Sequence, residues 1–183
     1  MSLDLTGLVS DMQSADPLRQ GPALKEAARV TKALTSEAVK ALAVSPAPAA
    51  TADQLSSFGS IEPLLDSLLQ QDVNCEVKSF AATLLLHFGS KAGVDYLLGA
   101  LRRGEGPTLH IVTWLGKAGV TEAAELIEEI LGRWNLQLDP YGAATLIDAL
   151  KKLNVTLPAH LRARIQAEAT DPYRASLLTL WGP

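Results

Sequence analysis

The sequence predicts an all-α chain, a right-handed α-solenoid of about five antiparallel helix pairs closed by a terminal capping helix. Three observations predict it. Hydrophobic residues make up 48% of the 183 residues and aromatics only 5%. The apolar content is therefore mostly Leu and Ala, which favour helices, while β-branched and aromatic residues favour strands. Short phrases recur at a spacing of about 30 residues, the mark of stacked repeats: Phe58-Gly59-Ser60 returns as Phe88-Gly89-Ser90. Apolar residues then fall at helical spacing between the phrases. Val77, Phe80, Ala81, Leu84, Leu85 and Phe88 form one stripe, and Ala123, Leu126, Ile127, Ile130 and Trp134 another. A single helix of this kind cannot bury its stripe alone.

Each element has a local reason. A leading helix is expected over residues 3–12. Asp16-Pro17 then opens a helix, with Asp as the cap and Pro at the first helical position. A helix pair is expected over 22–34 and 36–44, followed by a broken Pro/Ala loop over 45–52. The remaining pairs are expected over 53–58 with 61–71, 76–88 with 92–103, 107–116 with 121–134, and 140–153 with 158–169. Gly106-Pro107 and Asp139-Pro140 open two of these helices, and Asp171-Pro172 opens a lone closing helix over 172–181. Gly89 and Gly93 read as the cap and turn between two helices. The phrase Leu115-Gly116-Lys117-Ala118-Gly119-Val120-Thr121 matches Leu150-Lys151-Lys152-Leu153-Asn154-Val155-Thr156. Asn154 there replaces Gly119, and Asn is the residue after Gly that best tolerates a left-handed helix cap. The whole reads as one domain: an atypical N-terminal cap over 1–52, repeats over 53–169, and a C-terminal cap over 170–183.

The helix-ending Phe88-Gly89 and Leu115-Gly116, the Ala or Val that follows, and the later Leu-x-x-Leu or Leu-x-x-x-Ile resemble the HEAT-like families, especially the short bacterial type. The resemblance covers residues 53–169, and Asn74-Cys75-Glu76-Val77-Lys78 echoes the usual repeat opening. It implies an armadillo-type stack. The shared motif is structural, so it implies no catalytic residue.

Charge narrows the function further. Sixteen basic residues against 20 acidic give a net charge of −4, a poor match for a general nucleic-acid binder. No apolar run reaches the roughly 18–20 residues of a membrane span. The single cysteine, Cys75, precludes an intrachain disulfide and reads as a small, partly buried filler in a cytoplasmic protein. His87, His110 and His160 lack metal-ligand spacing. Gly89, Lys91 and Gly93 lack the phosphate-loop pattern. Tyr141 and Tyr173 are expected to pack between repeats, and Trp114, Trp134 and Trp181 to sit on apolar stripes. No catalytic, metal or cofactor site is expected.

The exposed charge concentrates on the second helix of each pair. Aligning the repeats puts Asp72, Arg102 with Arg103, Glu128 with Glu129, and Arg164 on successive second helices, with alternating sign. The expected binding surface comprises Asp95, Tyr96, Arg102, Arg103, Glu122, Glu125, Glu128, Glu129, Arg162 and Arg164. A self-neutralising ladder grips a polyanion poorly. The function expected is a non-catalytic protein-binding module, an adaptor, assembly factor or inhibitor, with no nucleic-acid or membrane partner. Two alternatives stand beside it. One is an enzyme on the same scaffold, as in HEAT-like alkylated-base DNA glycosylases and bilin lyases. The other is a self-associating structural protein that pairs through Ala175, Leu177, Leu178 and Trp181 of the closing helix.

Overall fold

The computed structural model describes residues 5–44 and 52–168. The expected closing helix, with Tyr173 and Trp181, and residues 45–51 of the Pro/Ala loop lie outside the described residues. Within them the chain is all-α: α1 (Leu5–Met12), α2 (Pro17–Val44), α3 (Ala52–Gln70), α4 (Cys75–His87), α5 (Lys91–Arg103), α6 (Thr108–Lys117), α7 (Ala124–Arg133, preceded by a 3-10 turn at Thr121–Ala123), α8 (Pro140–Lys152) and α9 (Ala159–Glu168). Its contacts fall into two compact units, Met1–Ala100 and Leu101–Pro183.

Two of the expected helix pairs are single helices. Residues 22–34 and 36–44 lie in the continuous α2, because Thr35-Ser36 supplies neither a Gly nor a Pro to stop a helix. Pro22 stands near the start of α2, where the one intrahelical bond it cannot donate would run to the carbonyl of Leu18, an exposed residue. Residues 53–58 and 61–71 likewise merge into α3, which runs through Phe58-Gly59-Ser60. Gly in a helix interior costs only about 1 kcal/mol relative to Ala, so the longer helix absorbs Gly59 instead of turning at it.

In the first unit α1, α2, α3 and α4 pack on one another. Met12, Ala23, Ala27, Leu64, Leu65, Leu68, Ala81, Leu84 and Leu85 form its core. Asp16 caps α2 as expected, its Oδ1 accepting from Leu18 N–H at 3.0 Å. Arg19 pairs with Asp11 and Gln20 Nε2 donates to Met12 O, which ties α2 back to α1. Asn74 caps α4, accepting from Glu76 N–H at 2.6 Å. Residues 81–86 of α4 are all buried, not only the expected stripe. The helix tolerates this because its buried hydroxyls bond back along it: Ser79 Oγ to Cys75 O at 2.8 Å and Thr83 Oγ1 to Ser79 O at 2.7 Å.

Ser67 lacks that solution. Its Oγ is buried with no hydrogen-bond partner among the described residues. A buried hydroxyl left unpaired costs roughly 1–3 kcal/mol. Ser67→Ala is therefore expected to hold or raise stability, by up to about 1 kcal/mol in urea unfolding. A loss beyond that would mean the hydroxyl is served.

The hinges hold the most regular part of the structure. At the end of α4, Gly89 has φ +83°, its N–H donates to Leu86 O, and Ser90 N–H donates to Leu85 O. At the end of α6, Gly119 has φ +69°, with bonds to Gly116 O and from Val120 to Leu115 O. At the end of α8, Asn154 has φ +57°, with bonds to Lys151 O and from Val155 to Leu150 O. These are three copies of one Schellman cap. Among the described residues Asn154 alone has a positive φ without being Gly, so its substitution for Gly119 marks the left-handed position. The copies also correct the register. Gly89 corresponds to Gly119 and not to Gly116.

Gly93 is not a turn residue. It sits inside α5, buried, and a Cβ there would lie 2.5 Å from Ala82 O and Leu86 N. Its missing side chain is what lets α5 lie against α4. Gly116 does the same for α6 against α8, where a Cβ would stand 2.9 Å from Ala149 Cα. In the second unit α8 packs on α6 and α7. The buried residues there include Ile111, Leu115, Ala123, Ile127, Leu131, Leu146, Ile147, Leu150, Leu161 and Ile165.

Candidate functional site

The residues expected to form a binding surface lie on α5, on the 3-10 turn with α7, and on α9. Each helix follows one of the three hinges. Asp95, Arg102, Arg103, Glu122, Glu125, Glu129 and Arg162 are exposed, while Tyr96, Glu128 and Arg164 are partly covered. Burial of Ala123, Ile127 and Leu131 turns the opposite side of α7 outward. That side carries Glu122, Glu125 and Glu129 at helical spacing, three or four residues apart.

The charges are matched locally. Lys91 Nζ lies 2.6 Å from Asp95 on α5. Arg103 reaches Glu105 at 2.8 Å, just past the helix end. Arg133 approaches Glu129 at 3.8 Å within α7. Exposed pairs of this kind contribute about 0–1 kcal/mol each. Arg102 and Arg162 make no ion pair among the described residues.

The alternating ladder changes when counted from the hinges. Glu129 stays level with Arg164, but Arg103 falls level with Arg133. Asp72 lies between α3 and α4 and on no second helix. Arg164 is not a free rung. Its guanidinium donates to Leu131 O at 2.7 Å, Gly132 O at 2.8 Å and Trp134 O at 2.6 Å, while Nε meets Glu168 at 3.0 Å. Three carbonyls at the C-terminal end of α7 thus converge on one cation, where the helix dipole favours positive charge. The interaction spans 30 to 33 residues of sequence, so no local pattern announces it.

The loop after α7 is braced on its other side. Trp134 Nε1 donates to Asp139 O at 3.1 Å, and the indole occupies the space a Cβ on Gly142 would need. Asn135 Oδ1 accepts from the N–H groups of Gln137 and Leu138, and Asp139 Oδ1 accepts from Gly142 N–H at 2.8 Å to cap α8. This fixed loop leaves Leu138 83% and Tyr141 73% exposed. Tyr141 was expected to pack between repeats. The Asp139 cap and Pro140 instead start α8 with Gly142 and Ala143 inward, and the neighbouring Tyr141 projects outward. Trp114 is buried as expected.

Cys75 is exposed, in contrast to the partly buried filler expected, because it is the first residue of α4, ahead of the buried stretch. His87 is half-buried, with its ring edge-on to Phe88 at 5.0 Å. Burial lowers its pKa below the ordinary 6.5. The neutral form is therefore favoured in the fold, and stability is complete above about pH 6.5 and falls as pH drops through the folded pKa. His87→Gln is expected to flatten the loss of stability as pH falls below the ordinary histidine value of about 6.5, measured by urea unfolding at several pH values. An unchanged slope would assign the acid loss to other groups.

No group of three or more His, Cys, Asp or Glu among the described residues is placed to hold a metal. No described helix is long and apolar enough to cross a membrane. A second charged grouping lies away from the three post-hinge helices. Lys25, Arg29 and Lys32 share one face of α2 and, with Ala28, border a cavity whose other wall is Glu76, Val77 and Phe80 of α4. Their spacing of four and three residues is visible in the sequence, but only the packing of α2 on α4 makes a groove of it.

Compared with family models, curated proteins and solved structures, the chain matches none.

Proposed function

We propose that this chain is a short HEAT-like helical-repeat protein that binds another protein through helices of its second unit that follow the hinges, α7 and α9, and performs no catalysis. The observation that carries the reading is the threefold recurrence of one hinge, at Gly89, Gly119 and Asn154, with the same two backbone hydrogen bonds each time. Recurrence of one helix–cap–helix unit is the signature of stacked repeats, and stacked repeats present extended rigid surfaces to partners. The outward side of α7 and of the 3-10 turn before it concentrates negative charge at Glu122, Glu125 and Glu129 and suits a basic partner.

The test compares affinity capture from the native extract by the wild-type chain and by a Glu125→Lys, Glu129→Lys variant, read by mass spectrometry. These carboxylates are exposed, so the variant keeps the wild-type circular dichroism. The expected result is a protein retained by the wild type and lost by the variant. An identical set of captured proteins for both chains overturns the assignment to α7.

A further inference from the structure

We propose that the groove between α2 and α4 docks an acidic amphipathic helix of a partner protein, inserting one apolar side chain between two carboxylates about two helical turns apart. The groove lies wholly in the first unit and is separate from the surface proposed above.

Three features define the occupant. The first is the floor: Ala28, Val77 and Phe80 line a cavity of about 280 Å³. Ligand pockets that enclose a small molecule run roughly 300–1,000 Å³, so this one suits a side-chain anchor better than an enclosed ligand. Val77 and Phe80 remain only half-buried, although they belong to the helix whose next six residues are all buried. The second feature is the rim. Lys25 and Lys32 are exposed and make no ion pair among the described residues, and Arg29 between them is held by Glu26 at 2.6 Å. Two cations are thus available at the ends of the groove wall, in a chain whose net charge is −4. The third feature is their separation. Seven residues along a helix span about 10 Å, which matches two carboxylates seven residues apart on a facing helix, with the apolar anchor midway. Glu76 on the opposite wall repels a strand of carboxylates there, so the acidic side of the guest must face α2. This is the helix-in-groove mode of recognition, with apolar contact giving affinity and rim charge giving register.

The experiment uses the full chain and three fluorescein-labelled helical peptides in anisotropy titrations. One has Glu at positions seven apart bracketing a Leu anchor. The second carries Lys at those positions. The third replaces the anchor with Ser. The expected order is binding by the first, weakened about tenfold or more in the third and absent in the second. Lys25→Glu with Lys32→Glu should weaken the first peptide by about tenfold and restore binding of the Lys peptide, while Glu125→Lys with Glu129→Lys leaves both unchanged. Equal binding of the acidic and basic peptides, or no response to the Lys25 and Lys32 changes, overturns the proposal. So does light scattering that shows self-association lost in the same lysine variant, since the groove would then serve a second copy of this chain.

Discussion

Gly93→Ala should cost about 2–3 kcal/mol of unfolding free energy, although Gly-to-Ala inside a helix ordinarily gains up to about 1 kcal/mol. The sign turns on what the new methyl meets. At Gly93 it meets Ala82 O and Leu86 N at 2.5 Å and Leu85 Cβ at 2.8 Å. The first two are backbone atoms of α4 and cannot rotate aside, so α5 must move away from α4 as a body. That displacement breaks contacts around Leu97 and Leu98, which are buried on α5. Gly132 in α7 is the control. A methyl there meets only Leu161 Cδ2, at 3.6 Å, an ordinary van der Waals distance. Gly132→Ala should therefore gain up to about 1 kcal/mol. Urea unfolding followed by circular dichroism measures both. A Gly93→Ala chain at least as stable as the wild type would show that α4 and α5 do not approach so closely.

The fate of the glycines shows which parts of the fold were legible. Helix identity and most boundaries from residue 75 onward could be read, because the caps are local: Asn74 and Asp139 at helix starts, Gly89, Gly119 and Asn154 at helix ends. A left-handed cap leaves a trace in sequence because few residues tolerate it. The continuity of α3 is not legible in the sequence, because Phe58-Gly59-Ser60 repeats the letters of a hinge without its role. Gly89 follows α4, whose residues 81–86 are all buried, whereas Gly59 is followed by eleven more helical residues that carry α3 into the core at Leu64, Leu65 and Leu68. Packing decided between two uses of the same residue. Gly93 illustrates the converse. Its place beside Gly89 reads as part of the turn, but its role depends on a helix lying across it. The binding-surface residues were legible as exposed charge, which follows from helical spacing. Arg164 and the α2–α4 groove were not, since each depends on residues 30 to 50 positions away in the chain.

Arg164 gives the second large effect. Its guanidinium serves Leu131 O, Gly132 O and Trp134 O together, at the end of α7 where carbonyls run out of partners in the next helical turn. A hydrogen bond to a charged group is worth about 1.5–3 kcal/mol, but three bonds made by one side chain are not additive, and water reaches part of this site. Arg164→Ala is accordingly expected to cost about 2–4 kcal/mol. Arg164→Met keeps the apolar stem and should lose most of the same amount, which isolates the carbonyl contacts from packing. Arg164→Lys should recover less than half, because a single ammonium cannot reproduce the planar fork that reaches the three oxygens. Arg162, two residues earlier on α9, is exposed and makes no ion pair among the described residues, so Arg162→Glu should stay within about 0.5 kcal/mol of the wild type. Thermal and urea unfolding separate the two positions. If Arg164→Met unfolds with the wild type, the guanidinium is not holding the end of α7. If it unfolds early while Arg162→Glu does not, then any loss of partner capture in an Arg164 variant reflects a loosened α7, and Arg162 is the α9 residue at which direct contact with a partner can be tested.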